Sequence, residues 1–336
     1  MSEFRQDPVT KQWVIIATER AKRPHDFAKT SLQPPLPAYK ADCPFCEGNE
    51  HLTPLETLAY RHGGQANGPG WWIRAIPNKF AAVSPSGSLA RRQEEGFFRK
   101  MDGVGQHEVI IESPQHNLCI PLMGDPQVEE IVRAYRERYL TLREDPRFKI
   151  IIIFKNHGRA AGTSLEHPHA QLVAMPIVPL SIRYRFEKAA GHYDDSGTCV
   201  YCDVLKQALQ IGKRIIMENE QFVVLHPFAS RAPFETWILP KEHQASFGSI
   251  SLDNTKKFAK VLKATLGKFY RGLNNPDYNY IIHTAPLKDE HEDYFHWHLQ
   301  ILPRLVTPAG FELGTGMFIN TALPEETAAF MRNLAD

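Results

Sequence analysis

"EHPHAQLV" at residues 166–173 has a counterpart in "FHWHLQIL" at residues 295–302: both carry H-x-H-x-Q inside an apolar, strand-forming run. What precedes them recurs in the same order. The first half runs through "CPFC" (43–46), "AIPNKFAAVSP" (75–85), "HEVIIESPQHN" (107–117), a helical stretch and "KIIIIFKNHG" (149–158). The second runs through "CVYC" (199–202), "VLHPFASRAPFETWILPKEHQ" (224–244), another helical stretch and "YNYIIHTAP" (278–286). Two copies of one α+β unit are expected, each a mostly antiparallel sheet with packed helices. The polar stretch "GHYDDSGT" (191–198) is expected to link them, which divides the chain into units 1–190 and 191–336.

Asp125-Pro126 reads as an N-cap and N1 pair, followed by Val128, Ile131, Val132, Tyr135, Tyr139 and Leu142 at helical spacing. A second helix over roughly 252–271 presents Phe258, Val261, Leu262, Leu266 and Phe269 in the same way. "IIIIF", "YNYII", "FVVL" and "TWILP" read as strands, being rich in β-branched and aromatic residues. On such a strand His167, His169 and Gln171 line one face. The stretch between 84 and 106 has no periodicity and mixed charge, and is expected to be a mobile surface loop with no counterpart in the second half.

Composition narrows the function classes. The 336 residues are 43% hydrophobic and 23% charged, the balance of a globular protein with a sizeable core. With 39 basic against 38 acidic side chains there is no net field to gather a nucleic acid or a membrane surface, although a local cluster could hold a phosphate. "MSEFRQDPVTKQW" has no apolar signal core, and no run approaches the roughly 18 apolar residues of a membrane span, so a cytoplasmic location is expected.

The five cysteines, Cys43, Cys46, Cys119, Cys199 and Cys202, include two C-x-x-C pairs, which suits metal or redox chemistry better than a disulfide framework. The long gap from Cys46 to Cys199 argues against one shared zinc ribbon, whose halves lie roughly 15–20 residues apart. Each pair is therefore matched with histidines of its own half, as in closed Cys2His2 zinc sites. Two zinc ions per chain are expected. In the first half the imidazoles would be His116 and one of His167 and His169, which leaves the other free for chemistry.

Ahead of the first motif, "NHGRAAGTSLEH" (156–167) offers glycines, Asn156, Thr163 and Ser164 in a turn-rich loop where backbone N–H groups can approach an anion. A phosphate docked there would sit beside His169. Neutral imidazole can attack phosphorus and split one transfer into two steps, with Gln171 and Ser164 stabilising charge on the equatorial oxygens.

Together with "CPFC", "ESPQH" and "RAKRP", H-P-H-A-Q after a Gly/Ser loop resembles the galactose-1-phosphate uridylyltransferase family of the histidine-triad superfamily. The resemblance runs from "DPVTKQWVIIATERAKRPHDF" to "GFELGTGMFIN" and implies two tandem histidine-triad-like domains. It implies that His169 is the nucleophile taking a nucleoside monophosphate from a nucleotide sugar in a ping-pong reaction, with Ser164 and Gln171 as phosphate ligands. By the same resemblance Asn156, in F-x-N-x-G, with Gly162 and Thr163 binds substrate, Arg20 and Arg23 are the basic pair near the substrate phosphates, and Asn78 contacts the nucleoside. Phe311, Gly314, Thr315 and Gly316 fall where the family holds the hexose. Cys43, Cys46, His116 and His167 match a structural zinc site, and a homodimer is implied because the family's hexose pocket borrows residues from a partner.

Two departures point within the family. Thr315-Gly316 stands where the uridylyltransferases have Tyr-Glu, and the second cysteine pair is absent from their best-known bacterial pattern. Both, with "PFETWILPKEH", look more like the ADP-glucose phosphorylase branch, in which inorganic phosphate is the acceptor. For the second metal Cys199 and Cys202 are matched with His243 and His296, since thiolates are the stronger zinc ligands; the family's other arrangement would use Glu187, His283, His296 and His298. The second half is not expected to be an active site, because Asp289, Glu290, Glu292 and Asp293 ahead of its motif would repel phosphate. Two other functions remain open: a nucleotide hydrolase of the histidine-triad group, and a zinc-stabilised nucleotide-binding scaffold in which His169 is structural.

Overall fold

Antiparallel pairing of one strand from each half turns two half-sheets into one. The structure, a computed structural model, describes residues 1–20, 23–28 and 35–335, without the side chain of Arg20. Its strands are β1 (Glu3–Gln6), β2 (Trp13–Ile16), β3 (Leu58–Arg61), β4 (Trp71–Pro77), β5 (Arg92–Glu94), β6 (Phe98–Lys100), β7 (Gln106–Ile111) and β8 (Ile150–His157). They continue with β9 (His169–Met175), β10 (Ile215–Glu218), β11 (Phe222–Leu225), β12 (Thr236–Pro240), β13 (Tyr278–His283), β14 (His298–Pro303) and β15 (Ile319–Asn320). The helices are α1 (Asp125–Arg143), α2 (Leu180–Ser196), α3 (Val200–Ile211), α4 (Leu252–Gly272), α5 (Gly310–Thr315) and α6 (Pro324–Asn333).

Ten strands form one sheet in the order β10-β11-β12-β14-β13-β8-β9-β7-β4-β3. All its neighbours are antiparallel. Outward from the β8–β13 seam, one side reads β8, β9, β7, β4, β3 and the other β13, β14, β12, β11, β10. Each list follows the same internal order, so the repeat expected from the motifs is a repeat of topology. The fold is α+β.

One core spans both halves. α1 buries Val128, Ile131, Val132, Tyr135 and Tyr139, and α4 buries Phe258, Val261, Leu262, Leu266 and Phe269; these side chains belong to a single cluster with Leu172 and Leu299 of the sheet. Ser251 caps α4 by accepting from the Asn254 N–H at 3.1 Å. The cap of α1 is Gly124, so Asp125 lies in the first turn rather than at the N-cap. There its carboxylate meets the helix N-terminus and pairs with Lys263 of α4.

Two expectations are corrected. "GHYDDSGT" is not a linker: α2 runs on to Ser196 and is closed by Gly197 at φ 71, whose N–H reaches the Tyr193 carbonyl at 2.7 Å. Its polar residues are the solvated face of a helix that buries Phe186 and Ala189. The stretch between 84 and 106 is no structureless loop either, because β5 and β6 pair as a hairpin through Glu95, Gly96 and Phe97. Both of its faces are exposed, so no hydrophobic alternation marks it in the sequence. No helix among the described residues is long and apolar enough to cross a membrane.

Candidate active site

His169 opens β9, which lies between β8 and β7 in the sheet. Its Nδ1 lies 2.8 Å from the carbonyl oxygen of His167. A carbonyl only accepts, so Nδ1 carries the hydrogen and Nε2 keeps its lone pair. Burial holds the imidazole pKa below its ordinary range, and the nearby Lys155 ammonium acts in the same direction. Lys155 Nζ donates to the His169 carbonyl at 3.0 Å and to Glu112 Oε2 at 2.5 Å. Tyr135 donates to Glu112 Oε1 at 2.7 Å, and the Tyr280 hydroxyl lies 2.6 Å from that of Tyr135. These four side chains are fully buried, so the strand carrying His169 rests on a satisfied polar network. The Phe45 ring meets His169 edge-on, with centroids 5.3 Å apart.

The loop from Gly158 to Ser164 joins β8 to β9, and the second half holds it in shape. Asp277 accepts from the Ala160 N–H at 2.6 Å. Gly158, at φ 81, passes so close that an added Cβ would lie 2.2 Å from the Asp277 carboxyl carbon. Asn279 Nδ2 donates to Asn156 Oδ1 at 2.7 Å and to the Ala161 carbonyl at 2.8 Å. With its oxygen engaged, Asn156 keeps its Nδ2 hydrogens for a ligand. Gly162 adopts φ 85 and is exposed, as is Ser164, while the Thr163 hydroxyl is turned back to the Leu165 carbonyl at 3.0 Å. Phe154 pairs with Gln171, which sets Asn156 across from His169. Asn78 lies 3.5 Å from Gln171, with His107 between them. His169, Gln171, Asn156, Asn78 and the loop are thus gathered at one end of the seam.

Other expected residues stand further out. Arg23 is exposed and opens the turn Pro24–Phe27, anchored by Phe27 against Phe234 at 5.8 Å between centroids. Arg20 ends the turn Thr18–Arg20, and its side chain lies outside the described residues. Phe311, Gly314 and Thr315 lie on α5, which Gly316 closes at φ 70. The Thr315 hydroxyl donates to the Phe311 carbonyl at 2.7 Å, within the helix. Beside α5 is a cavity of 270 Å³ lined by Glu312, Arg231 and Arg304, and Arg304 bonds Asn279 at 2.5 Å, which in turn holds Asn156.

Cys43, Cys46, His116 and His167 form a buried group whose ligand atoms lie within 4.8 Å of one another. Three of the sulfur–nitrogen separations are 3.6–3.7 Å. A tetrahedral ion with bonds of about 2.3 Å to sulfur and about 2.0–2.1 Å to nitrogen sets such edges near ~3.6 Å, so the group fits zinc. His167 Nε2 donates to the Ser113 carbonyl at 2.7 Å, which turns its Nδ1 toward the sulfurs. Burial pushes His167 down to about 3 and so keeps it neutral, the ligating form. Of the two motif histidines, His167 joins the metal group and His169 stays out of it.

Cys199, Cys202 and His243 form a second group, with His243 Nδ1 at 3.3 Å from Cys202 Sγ. The hydrogen bond from Cys202 draws the thiolate onto Cys199, with His243 acting in the same direction. His296 was expected as the fourth ligand, and the structure leaves it outside. Its ring stacks on His243 at 5.3 Å, but its Nδ1 accepts from the Gln244 N–H at 3.0 Å and its Nε2 donates to the Pro240 carbonyl at 2.9 Å. Nor are Glu187, His283, His296 and His298 gathered as a metal group among the described residues.

The motif of the second half is packed in surroundings of its own. Glu290 of its acidic loop is buried and accepts from Tyr139 and Ser246 at 2.9 and 2.6 Å. His298 is 1% exposed, walled by Tyr201 and Trp237, and adjoins a cavity of 20 Å³ also lined by Val9 and Thr10. Sequence reasoning missed His107, Asp277, Asn279, Lys155 and Glu112. His107 alone carried a signal, lying two residues before Val109, the pairing partner of Gln171.

Comparison with known proteins places nearly the whole chain in one family's range of similarity. The family model "Galactose-1-phosphate uridyl transferase, N-terminal domain" matches residues 1–179, and its C-terminal counterpart matches residues 183–335. The chain is 37% identical to the ADP-glucose phosphorylase of Arabidopsis thaliana, covering 99% of this chain and 93% of that one. It is 31% identical to the galactose-1-phosphate uridylyltransferase of Thermotoga maritima, covering 99% and 98% respectively. A crystal structure of an ADP-glucose phosphorylase from Arabidopsis thaliana with bound ADP-glucose superposes with a TM-score of 0.84 at 33% identity, covering 100% of both chains.

Proposed function

The chain belongs to the galactose-1-phosphate uridylyltransferase family, and from that premise we propose that His169 carries a two-step nucleotidyl transfer. The protein is a nucleotidyltransferase, moving a nucleoside monophosphate between a nucleotide sugar and a hexose 1-phosphate or phosphate. In the first step His169 Nε2 attacks the α-phosphorus. The bond from that phosphorus to the bridging oxygen breaks, and hexose 1-phosphate leaves with the electron pair. In the second step an oxygen of the acceptor phosphate attacks the same phosphorus, and the N–P bond returns its pair to Nε2.

The observation that carries this mechanism is the 2.8 Å bond from His169 Nδ1 to the His167 carbonyl. It presents Nε2 as the nucleophile, and it stabilises the ring charge that develops when Nε2 binds phosphorus. Asn156 Nδ2, the Gln171 amide and the Ser164 hydroxyl receive the phosphate oxygens, while Gly162 and Thr163, whose N–H groups reach the Arg159 and Gly158 carbonyls at 3.0 and 3.4 Å, shape the substrate loop beside them. Asn78 meets the nucleoside, Arg20 and Arg23 the phosphates, and Phe311, Gly314, Thr315 and Gly316 the sugar end.

Zinc belongs on Cys43, Cys46, His116 and His167, where it would tie the strand carrying His169 to the chain before it. A second ion belongs on Cys199, Cys202 and His243, and His296 completes four ligands only by giving up the Gln244 N–H. When bound, the metals supply folding energy rather than chemistry. We also place the protein in the cytoplasm as a homodimer.

An ADP-glucose phosphorylase reading within the same chemistry is favoured by the second thiolate pair beside His243 and by the self-bonded Thr315 hydroxyl. Incubation with a nucleotide sugar labelled at the α-phosphate tests the function: labelled protein should accumulate without acceptor. Turnover to free nucleotide would make it a hydrolase, and neither outcome would leave a binding scaffold.

A further inference from the structure

The two H-x-H-x-Q strands hold their glutamines in opposite orientations. In the first half the His107 Nδ1 accepts from the Ala82 N–H at 3.2 Å. Its hydrogen therefore sits on Nε2, which lies 2.8 Å from Gln171 Oε1. Asn78 Nδ2, 3.1 Å from the same nitrogen and 3.5 Å from Gln171 Oε1, adds a second, longer donor toward that oxygen. With its carbonyl held by His107, Gln171 keeps its N–H₂ hydrogens for the phosphate end of the site.

The second half supplies an internal control. Gln171 pairs with Val109 and Gln300 with Trp237, so His107 and Glu235, each two residues earlier, hold the same place beside the glutamine. Glu235 is an acceptor throughout: it takes the Arg231 N–H at 2.6 Å, the Trp237 indole N–H at 3.1 Å and Gln300 Nε2 at 2.5 Å. The Gln300 amide is thereby reversed, and its oxygen faces His283 at 2.8 Å. His283 stands where Asn156 stands in the first half, two residues beyond the strand partner of the glutamine. A donor beside the glutamine leaves N–H groups for an anion, and an acceptor leaves a carbonyl that repels one.

We propose that His107 is a positioning residue for nucleotidyl transfer, whose Nε2–H orients Gln171 so that the amide N–H₂ meets the charge developing on the α-phosphate. The proposal rests on the transfer function argued above. His107 touches no reacting atom and acts only through Gln171.

Single-turnover labelling of the protein by a nucleotide sugar, across a set of variants, tests it. His107→Gln, whose Nε2 can donate from nearly the same place, should stay within about threefold of wild type. His107→Ala should be slower, and His107→Glu, which imports the second-half partner, slower by about a hundredfold or more, with KM little changed. In a Gln171→Ala background the same substitutions should have no further effect. A His107→Glu rate within threefold of wild type overturns the proposal, as does an equal loss in the Gln171→Ala background. Should His107→Glu fail to fold, by zinc content and thermal unfolding, the ¹⁵N shifts of the wild-type imidazole decide. A protonated Nε2 with a bare Nδ1 supports the proposal, and the opposite tautomer overturns it. A wild-type protein that never becomes labelled would sink the transfer function, and the tautomer would still decide the hydrogen bond.

Discussion

Lys155 Nζ holds the carbonyl oxygen of His169 at 3.0 Å and Glu112 at 2.5 Å, with no solvent at either contact. The strand carrying His169 is thus fastened from beneath by a buried ion pair. Removing one partner of such a pair strands the other charge in the interior, at a cost of about 3–5 kcal/mol. Lys155→Met should lose that much stability in chemical denaturation, and Lys155→Met/Glu112→Gln should lose less than Lys155→Met alone. A Lys155→Met protein within about 1 kcal/mol of wild type would show that the pair does not hold the strand.

His169→Ala should abolish transfer while leaving zinc content and thermal unfolding nearly unchanged, because His169 stands outside the metal group. His167→Ala should lose metal and stability as well. Turnover by His169→Ala above about a tenth of wild type would contradict covalent catalysis at this residue.

Metal analysis should find two zinc ions per chain. Cys43→Ser and Cys199→Ser should each remove about one equivalent, since the two groups share no residue. Loss of all metal in either variant would mean a single shared ion.

The acid limb of labelling should lie low. Burial lowers the His169 pKa, so the imidazole stays neutral as pH falls through the ordinary value of about 6.5 and protonates only below it. Single-turnover labelling should therefore be flat from about pH 8 to about pH 6.5. A limb assigned to His169 with its midpoint at or above about 6.5 would show that the ring is not desolvated in solution. The same shift has a stability consequence: the unfolded chain takes up a proton below about 6.5 while the folded one does not, so stability from this group falls as pH drops below that value.

The acceptor should be chosen loosely. Thr315 spends its hydroxyl on the Phe311 carbonyl, and Gly316 offers no side chain, so neither grips sugar hydroxyls. The nucleotidyl protein should accept phosphate or glucose 1-phosphate at least as well as galactose 1-phosphate, with ADP-glucose a competent donor. In competition assays, a preference above about a hundredfold for galactose 1-phosphate over both would exceed what a loosely fitted pocket supplies and would restore ordinary uridylyl transfer.

The sequence by itself determined what repeats locally. Helical spacing in α1 and α4, β-branched runs in β8 and β13, and the two H-x-H-x-Q strands were legible because side-chain periodicity is a property of consecutive residues. The first group of metal-ligating residues followed from residue type, since thiolate and imidazole have few other reasons to recur together. Where polar residues had no period, reading failed: the solvated last turn of α2 looked like a linker, and the two-sided exposure of β5 and β6 hid a hairpin. Only the tertiary structure decided which motif histidine joins the metal group, why His296 is taken up by Gln244 and Pro240, and that Asp277 and Asn279 of one half shape the Gly158–Ser164 loop of the other. These depend on strand register and on which partner reaches a hydrogen-bonding atom first. Residues from 52 to 124 positions apart settle that, and no local pattern records it.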